Sequence, residues 1–199
     1  MSMPTDALLA VENVAFEIEG RTILHPLRMA VGAGRMVGVI GHNGSGKSTL
    51  GKILARQVRP SAGSLQVLGQ CAEAIGARGF ARLVAYLPQQ IPPAVGMTVR
   101  ELVAMGRYPW LGAFKSPTQH DIDKVEEGMA TTLVNGLAGR LVDTLSGGER
   151  QRVWLGMLVA QQARILVLDE PTSALDIRHQ VEVLSLLRSL CARQNVGWS

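Results

Sequence analysis

The sequence predicts an α/β fold with an antiparallel β edge at its N-terminus and a helical insertion at about residues 98–145, all within one domain spanning residues 1–199. Three observations predict it. Residues 8–31 alternate apolar and polar side chains, as strands with one wet face do. Two short apolar runs, Met36–Ile40 and Ile165–Leu168, read as buried strands, with helical spacing in segments between them. The stretch 98–145 changes texture, with helical spacing interrupted by prolines and a glycine.

The elements follow in order. Leu9, Val11, Val14, Phe16 and Ile18 mark a first strand. A Gly20–Arg21 turn leads to a second through Ile23 and Leu24. Glycines bound the run Met36–Ile40, a candidate buried strand. Ser48 to Gln57 has helical character. Pro60, Gly63 and Gly69 punctuate a further strand pair, and Leu83 to Leu87 is a short strand stopped by Pro88. Val99, Leu102, Val103 and Met105 sit at helical spacing before Pro109, Gly112 and Pro117 break the chain. A polar helix is expected from Asp121 and another from Gly148 to Ala160. Ile177, Val181, Leu184, Leu187 and Cys191 form one face of a last helix.

Composition bounds the function. The chain has 199 residues, 47% hydrophobic and 18% charged, enough for one sizeable core and unlike a disordered chain. Its 22 glycines in 199 residues, about 11%, exceed the usual ~7% and point to tight turns or backbone held close to a ligand. The net charge of +4 suits anionic ligands. No Lys/Arg run and few aromatics argue against a nucleic-acid partner. Cys71 and Cys191 form neither a CxxC pair nor a disulfide framework, as in a reducing compartment. The first residues lack the basic and apolar regions of a secretory signal, and no apolar run approaches the ~20 residues of a membrane span. The expectation is a soluble chain that reaches a membrane only through a partner.

The chemistry begins at Gly41-His-Asn-Gly-Ser-Gly-Lys-Ser48, which fits G-x-x-x-x-G-K-[ST] between an expected strand and helix. Gly41, Asn43, Gly44, Ser45 and Gly46 let the backbone curl so that N–H groups point at phosphate oxygens, reinforced by the helix N-terminus. Lys47 reaches the β- and γ-phosphates, Ser48 ligates Mg²⁺ and Thr49 donates to the α-phosphate. Asp169 and Glu170 follow the strand Ile165–Leu168. One carboxylate there holds Mg²⁺ through water and the next polarises the attacking water. Ser146, Gly147 and Gly148, within Leu145-Ser-Gly-Gly-Glu-Arg-Gln-Arg152, sit at a helix N-terminus and make a second anion site. Two such cradles suit two chains facing head to tail, each closing on the other's nucleotide. An ordinary Ser146 cap with Glu149 three residues on is the alternative, and both can hold together.

These motifs, in this order, resemble the ABC-type ATPases, a P-loop NTPase family, over nearly the whole chain. The resemblance implies ATP and Mg²⁺ as ligands and a second ATPase subunit. It also implies integral-membrane permease partners and a peripheral place on the cytoplasmic face of the cell membrane. It extends to Tyr86-Leu-Pro-Gln89, where Gln89 would sense Mg²⁺ and the attacking water. Within Ser173-Ala-Leu-Asp176, Asp176 would lie at the dimer interface. Glu170 would be the general base. Gly106-Arg-Tyr-Pro-Trp110, LVAQ at 158–161 and SALDIRHQVEVL at 173–184 are similar to ferric hydroxamate siderophore importers. Haem and vitamin B12 importers are the nearest alternatives. A soluble ABC ATPase without a transporter and a non-hydrolysing nucleotide-binding module are the readings from other classes. Tyr108 and Trp110 belong either to a permease-docking surface or to the insertion's own core.

Two departures stand out. The family's adenine-stacking aromatic falls at Ile18, and Phe16, two residues earlier, reads as core. The family continues into another strand and a histidine that contacts the γ-phosphate. Here Asn195–Ser199 falls where that strand should begin, and His25, His42, His120 and His179 do not match the histidine position. The expectation is a C-terminally truncated chain, poorly active and less stable than a family-length one.

Overall fold

The computed structural model describes residues 7–111, 115–171, 180–181, 183–185, 187–188 and 197–198. They divide into two compact units. The first draws on Met1–Tyr86, Arg164–Asp169 and Leu190–Ser199, the second on Leu87–Ala163 and Glu170–Ser189.

In the first unit, strands β1 (Ala7–Ile18) and β2 (Arg21–Gly32) form the expected antiparallel hairpin, turning at Glu19 and Gly20 with positive φ at both. Strands β3 (Ala62–Val67) and β4 (Gln70–Cys71) complete a sheet of order β2-β1-β3-β4. Leu9 pairs with Val31 on one side and Val67 on the other. One wet face was expected for both hairpin strands, and β1 departs from that. Leu8 to Val11 are all buried, so both faces of β1 are covered over that stretch. Alternation survives on the outer strand β2, where Leu24 is buried and His25 and Arg28 are exposed.

Helix α1 (Lys47–Leu54) buries Leu50, Ile53 and Leu54 in the same core as Leu9, Val11 and Val167. Each such side chain contributes roughly 1.5–3 kcal/mol of apolar burial. Helix α2 (Ala77–Leu83) places Phe80 under the guanidinium of Arg56, 4.6 Å from the ring centroid. Strand β5 (Val84–Leu87) neighbours β6 (Ile165–Leu168), which pairs in parallel with β7 (Gly197–Trp198). A strand therefore does begin near residue 197.

Met36–Ile40 corrects an expectation. Met36 makes a single bridge and residues 37–40 form no strand. Ile40 is 97% exposed and Met36 46%. Among the described residues no named strand pairs with this run, and a ladder needs a neighbour whatever the propensity of its residues.

The second unit packs α3 (Val99–Met105), α4 (Gln119–Thr131) and α5 (Gly147–Gln161) around Val103, Val125, Met129, Val142 and Val153. All three helices open on a capping box, at Thr98, Thr118 and Ser146. The unit is larger than residues 98–145 because α5 packs on α3 and α4.

Residues 180–181, 183–185 and 187–188 are helical, with Val183 and Leu187 buried. Val181 and Leu184, expected on the buried face, are exposed. The apolar pattern carries two overlapping stripes that share Leu187, and periodicity alone does not choose between them. Ile177 and Cys191 lie outside the described residues.

Candidate functional site

The loop Gly41–Gly46 runs into α1 through a tight turn. Ser45 N–H donates to the His42 carbonyl at 3.2 Å. Gly46 is the N-cap residue, with φ 87° and ψ 7°. A Cβ there would lie 2.7 Å from the Ile23 carbonyl oxygen, so only glycine fits both the conformation and the space. At Gly41 a Cβ would meet Ser45 Oγ at 2.5 Å. No side chain caps α1 and its first turn carries no acid. Its leading N–H groups are therefore not taken by a cap side chain, as a helix start that receives an anion requires. Gly44 has φ 82°, Asn43 is exposed and Thr49 is half-buried on the first turn of α1.

Lys47 Nζ spans this loop, donating to the carbonyls of Gly41 at 2.8 Å and His42 at 3.0 Å. Ser48 Oγ donates to Asp169 Oδ1 at 3.1 Å, joining α1 to the end of β6 across 121 residues of sequence. Asp169 is 8% exposed. Beside it on β5, Tyr86 has a buried hydroxyl with no hydrogen-bond partner. Burial, and then the charge of Asp169, push that phenol up to about 12.

In the second unit, Gln89 Nε2 donates to Glu170 Oε2 at 2.6 Å. Glu170 has φ 48°, a conformation that costs a non-glycine residue of order 1–3 kcal/mol and is held where the surroundings fix it. Ser146 N-caps α5. Its N–H and Oγ–H donate to Glu149 Oε2 at 2.9 and 2.7 Å, and its Oγ accepts from Glu149 N–H at 3.3 Å. These bonds hold the Glu149 carboxyl below the ordinary glutamate range. The cap alternative is thus present. Gly147 and Gly148 form the first turn of α5. Asp176 lies outside the described residues.

Of the residues singled out in the sequence, the structure brings Ser48 to Asp169 and Gln89 to Glu170. Sequence reasoning missed the buried pair of Arg107, 3% exposed, and Asp121, 7% exposed. Arg107 Nε donates to Asp121 Oδ1 at 3.0 Å, and its Nη1 to the Ala160 carbonyl at 2.8 Å and Gln162 Oε1 at 3.2 Å. Its guanidinium lies 5.2 Å from the Trp110 ring centroid. The only signal was a basic residue at a helix end, which is ordinarily a solvated charge.

The residues fit a nucleotide phosphate and a divalent cation. The glycine cradle leaves room no Cβ could share, Lys47 is within reach of the loop, and a hydroxyl and a carboxylate stand together. Among the described residues no group of three His, Cys, Asp or Glu side chains could hold a metal by itself. A cation bound through one hydroxyl, one carboxylate, water and phosphate oxygens is the manner of Mg²⁺.

Fold and loop together define a nucleotide-binding module of the P-loop class. Residues 24–173 match the family described as ABC transporter, and the chain belongs to that family. It is 37% identical over 187 residues to the probable siderophore transport system ATP-binding protein YusV of Bacillus subtilis, covering 94% of this chain and 68% of that protein. With the iron(3+)-hydroxamate import ATP-binding protein FhuC of the same organism it shares 36% over 186 residues, 94% of this chain and 69% of that one. With the achromobactin transport ATP-binding protein CbrD of Dickeya dadantii it shares 41% over 170 residues, but spans only 63% of that protein's length. A solved inward-facing transporter of metal-chelate type superposes at TM-score 0.81 with 32% identity, over 96% of this chain and 71% of that one.

Proposed function

We propose that the chain binds and hydrolyses Mg-ATP as the nucleotide-binding subunit of an importer for iron(III)–siderophore complexes, of hydroxamate type. The observation that carries the nucleotide chemistry is the Ser48–Asp169 pair at the uncapped start of α1. Similarity to siderophore ATP-binding proteins supports the substrate class.

In this reading the N–H groups of the Gly41–Gly46 loop and the first turn of α1 receive the phosphates. Lys47 exchanges its two carbonyl partners for phosphate oxygens, a stronger charge-assisted contact. Thr49 adds a hydroxyl. Ser48, Asp169 and Gln89 hold Mg²⁺, which when bound screens the charge that develops on the phosphates. Glu170 takes the proton of the attacking water, and Gln89 orients its carboxylate. Ser146, Gly147 and Gly148 close on the nucleotide of a second subunit arranged head to tail, with Asp176 at that interface.

Permease subunits bring the chain to the cytoplasmic face of the membrane. Among the described residues no helix is long and apolar enough to cross one. A groove of about 410 Å³ in the second unit, lined by Met97, Met105, Tyr108, Trp154 and Met157, suits the permease contact. Tyr108 is 68% exposed there.

The test is complementation of a strain lacking its own hydroxamate-importer ATPase, reading uptake of a radiolabelled iron(III)–hydroxamate. Uptake restored by the chain and abolished by Lys47→Ala is expected. ATP turnover without uptake of any iron chelate would sink the substrate assignment, and failure to bind Mg-ATP would sink the site.

A further inference from the structure

We propose that Trp110 is a positioning residue for the docking groove of the second unit. Its indole N–H ties the segment that carries Tyr108 to the last turn of α5, and so fixes the width of the groove before a partner arrives. The partner is an apolar segment of the permease. The inference rests on the reading of that groove as the permease contact.

The groove, about 410 Å³, lies within the second unit. The end of α3 and the segment after it line it at Met105, Gly106 and Tyr108, and the last turns of α5 line it at Met157 and Gln161. No lining side chain is charged. Met105 is 51% and Tyr108 68% exposed, apolar surface that a partner would cover.

The two sides belong to separate segments, so the width of the groove depends on what joins them. Three contacts do. Gly106 lies so close to α5 that a Cβ there would overlap the Met157 carbonyl. A helix also leaves its last four carbonyls without partners inside it. Arg107 Nη1 donates to one of these, Ala160, at 2.8 Å, and Trp110 Nε1 donates to the next, Gln161, at 2.7 Å. The Arg107 guanidinium also meets the negative end of the α5 dipole.

The Arg107 contact is buried and belongs to the packing of the unit. The indole bond differs, because it lies at the surface and Trp110 is 38% exposed. Water would serve the Gln161 carbonyl there, so the bond adds little to stability. What it adds is a fixed spacing, since a water can be displaced when the segment moves and a ring held by the chain cannot. Trp110 does not line the groove and acts through Gln161, which does. A partner that meets a groove already set at its working width escapes the cost of ordering it.

The experiment uses membranes of the strain that lacks its own hydroxamate-importer ATPase and retains the permease. Binding of the chain is titrated by sedimentation, beside membranes without the permease. Trp110→Phe keeps an aromatic ring beside Arg107 and removes the indole N–H. Its affinity for the permease membranes should fall about fivefold, as for loss of one net hydrogen bond. Its Mg-ATP affinity by calorimetry should hold, and its Tm should stay within about 2 °C of the parent. Unchanged membrane affinity in Trp110→Phe overturns the proposal. So does a fall in Tm or in Mg-ATP affinity alongside membrane binding, which would make Trp110 a support of the fold at large. Met105→Glu, at an exposed lining position, separates the two levels by placing a charge in the groove. If Met105→Glu binds the permease membranes as the parent does, or the parent binds both membranes alike, the groove is not the permease contact. If Met105→Glu abolishes binding while Trp110→Phe leaves it intact, only the Trp110 assignment fails.

Discussion

Helices α1 and α5 each begin on a segment that sequence reasoning assigned to an anion, and they begin differently. α1 starts on Gly46 in a left-handed conformation, with no side-chain cap and no acid in its first turn. α5 starts on Ser146, whose hydroxyl and amide are taken by Glu149. The first N-terminus is left open and the second is closed by its own carboxylate. An open N-terminus forgoes the roughly 1 kcal/mol of a cap, which a bound anion can return. A closed one is stable without a ligand, and to receive one it must share or release its glutamate. Under the proposed function, nucleotide capture by a single chain falls to α1, and α5 acts only when a second anion is presented.

The largest expected effect tests the proposed general base. Glu170→Gln should lower ATP turnover in the assembled transporter by about 10²–10⁴ while retaining binding. Single-turnover hydrolysis near the parent rate would remove Glu170 as the base. Lys47→Ala should weaken nucleotide binding by about ten- to a hundred-fold, through loss of one charge-assisted contact. Isothermal calorimetry reads it directly, and an unchanged Kd would break the assignment of α1.

Two smaller effects sharpen the contrast. Gly46→Ala forces a Cβ toward the Ile23 carbonyl at positive φ and should cost about 1–3 kcal/mol of stability, with nucleotide binding lost alongside. Ser146→Ala should cost about 1 kcal/mol, seen in urea melts, and leave nucleotide binding by the single chain alone. Equal losses of binding in both variants would erase the distinction between the helices. The smallest effect concerns pH. The folded pKa of Glu149 is depressed by its bonds to Ser146, so its stabilisation is present above the ordinary glutamate value and fades as pH falls through the folded value. Ser146→Ala should flatten that part of the acid limb.

Elements set by local pattern were legible in the sequence. The hairpin and the short strands at β5 and β6 followed from apolar patterning, α3 from helical spacing, and the start of α5 from the Ser146 cap. Ser48 and Asp169 were singled out in the sequence as ligands of one cation, and they stand 3.1 Å apart. What depended on a distant neighbour was not legible. Met36–Ile40 has strand composition without a pairing strand among the described residues. The helix at 180–188 has two candidate faces. Arg107 and Asp121 look like surface charges until packing encloses both.

That enclosed pair has an evolutionary consequence. Arg107 and Asp121 stand 14 residues apart and satisfy each other in a largely buried setting. Loss of either alone strands the other as a buried charge, whereas an apolar pair of similar volume would be tolerated. Homologous sequences should therefore vary at these two positions together. A sequence carrying only one of the two charges should show a compensating change near Ala160 or Gln162, the other acceptors of the Arg107 guanidinium.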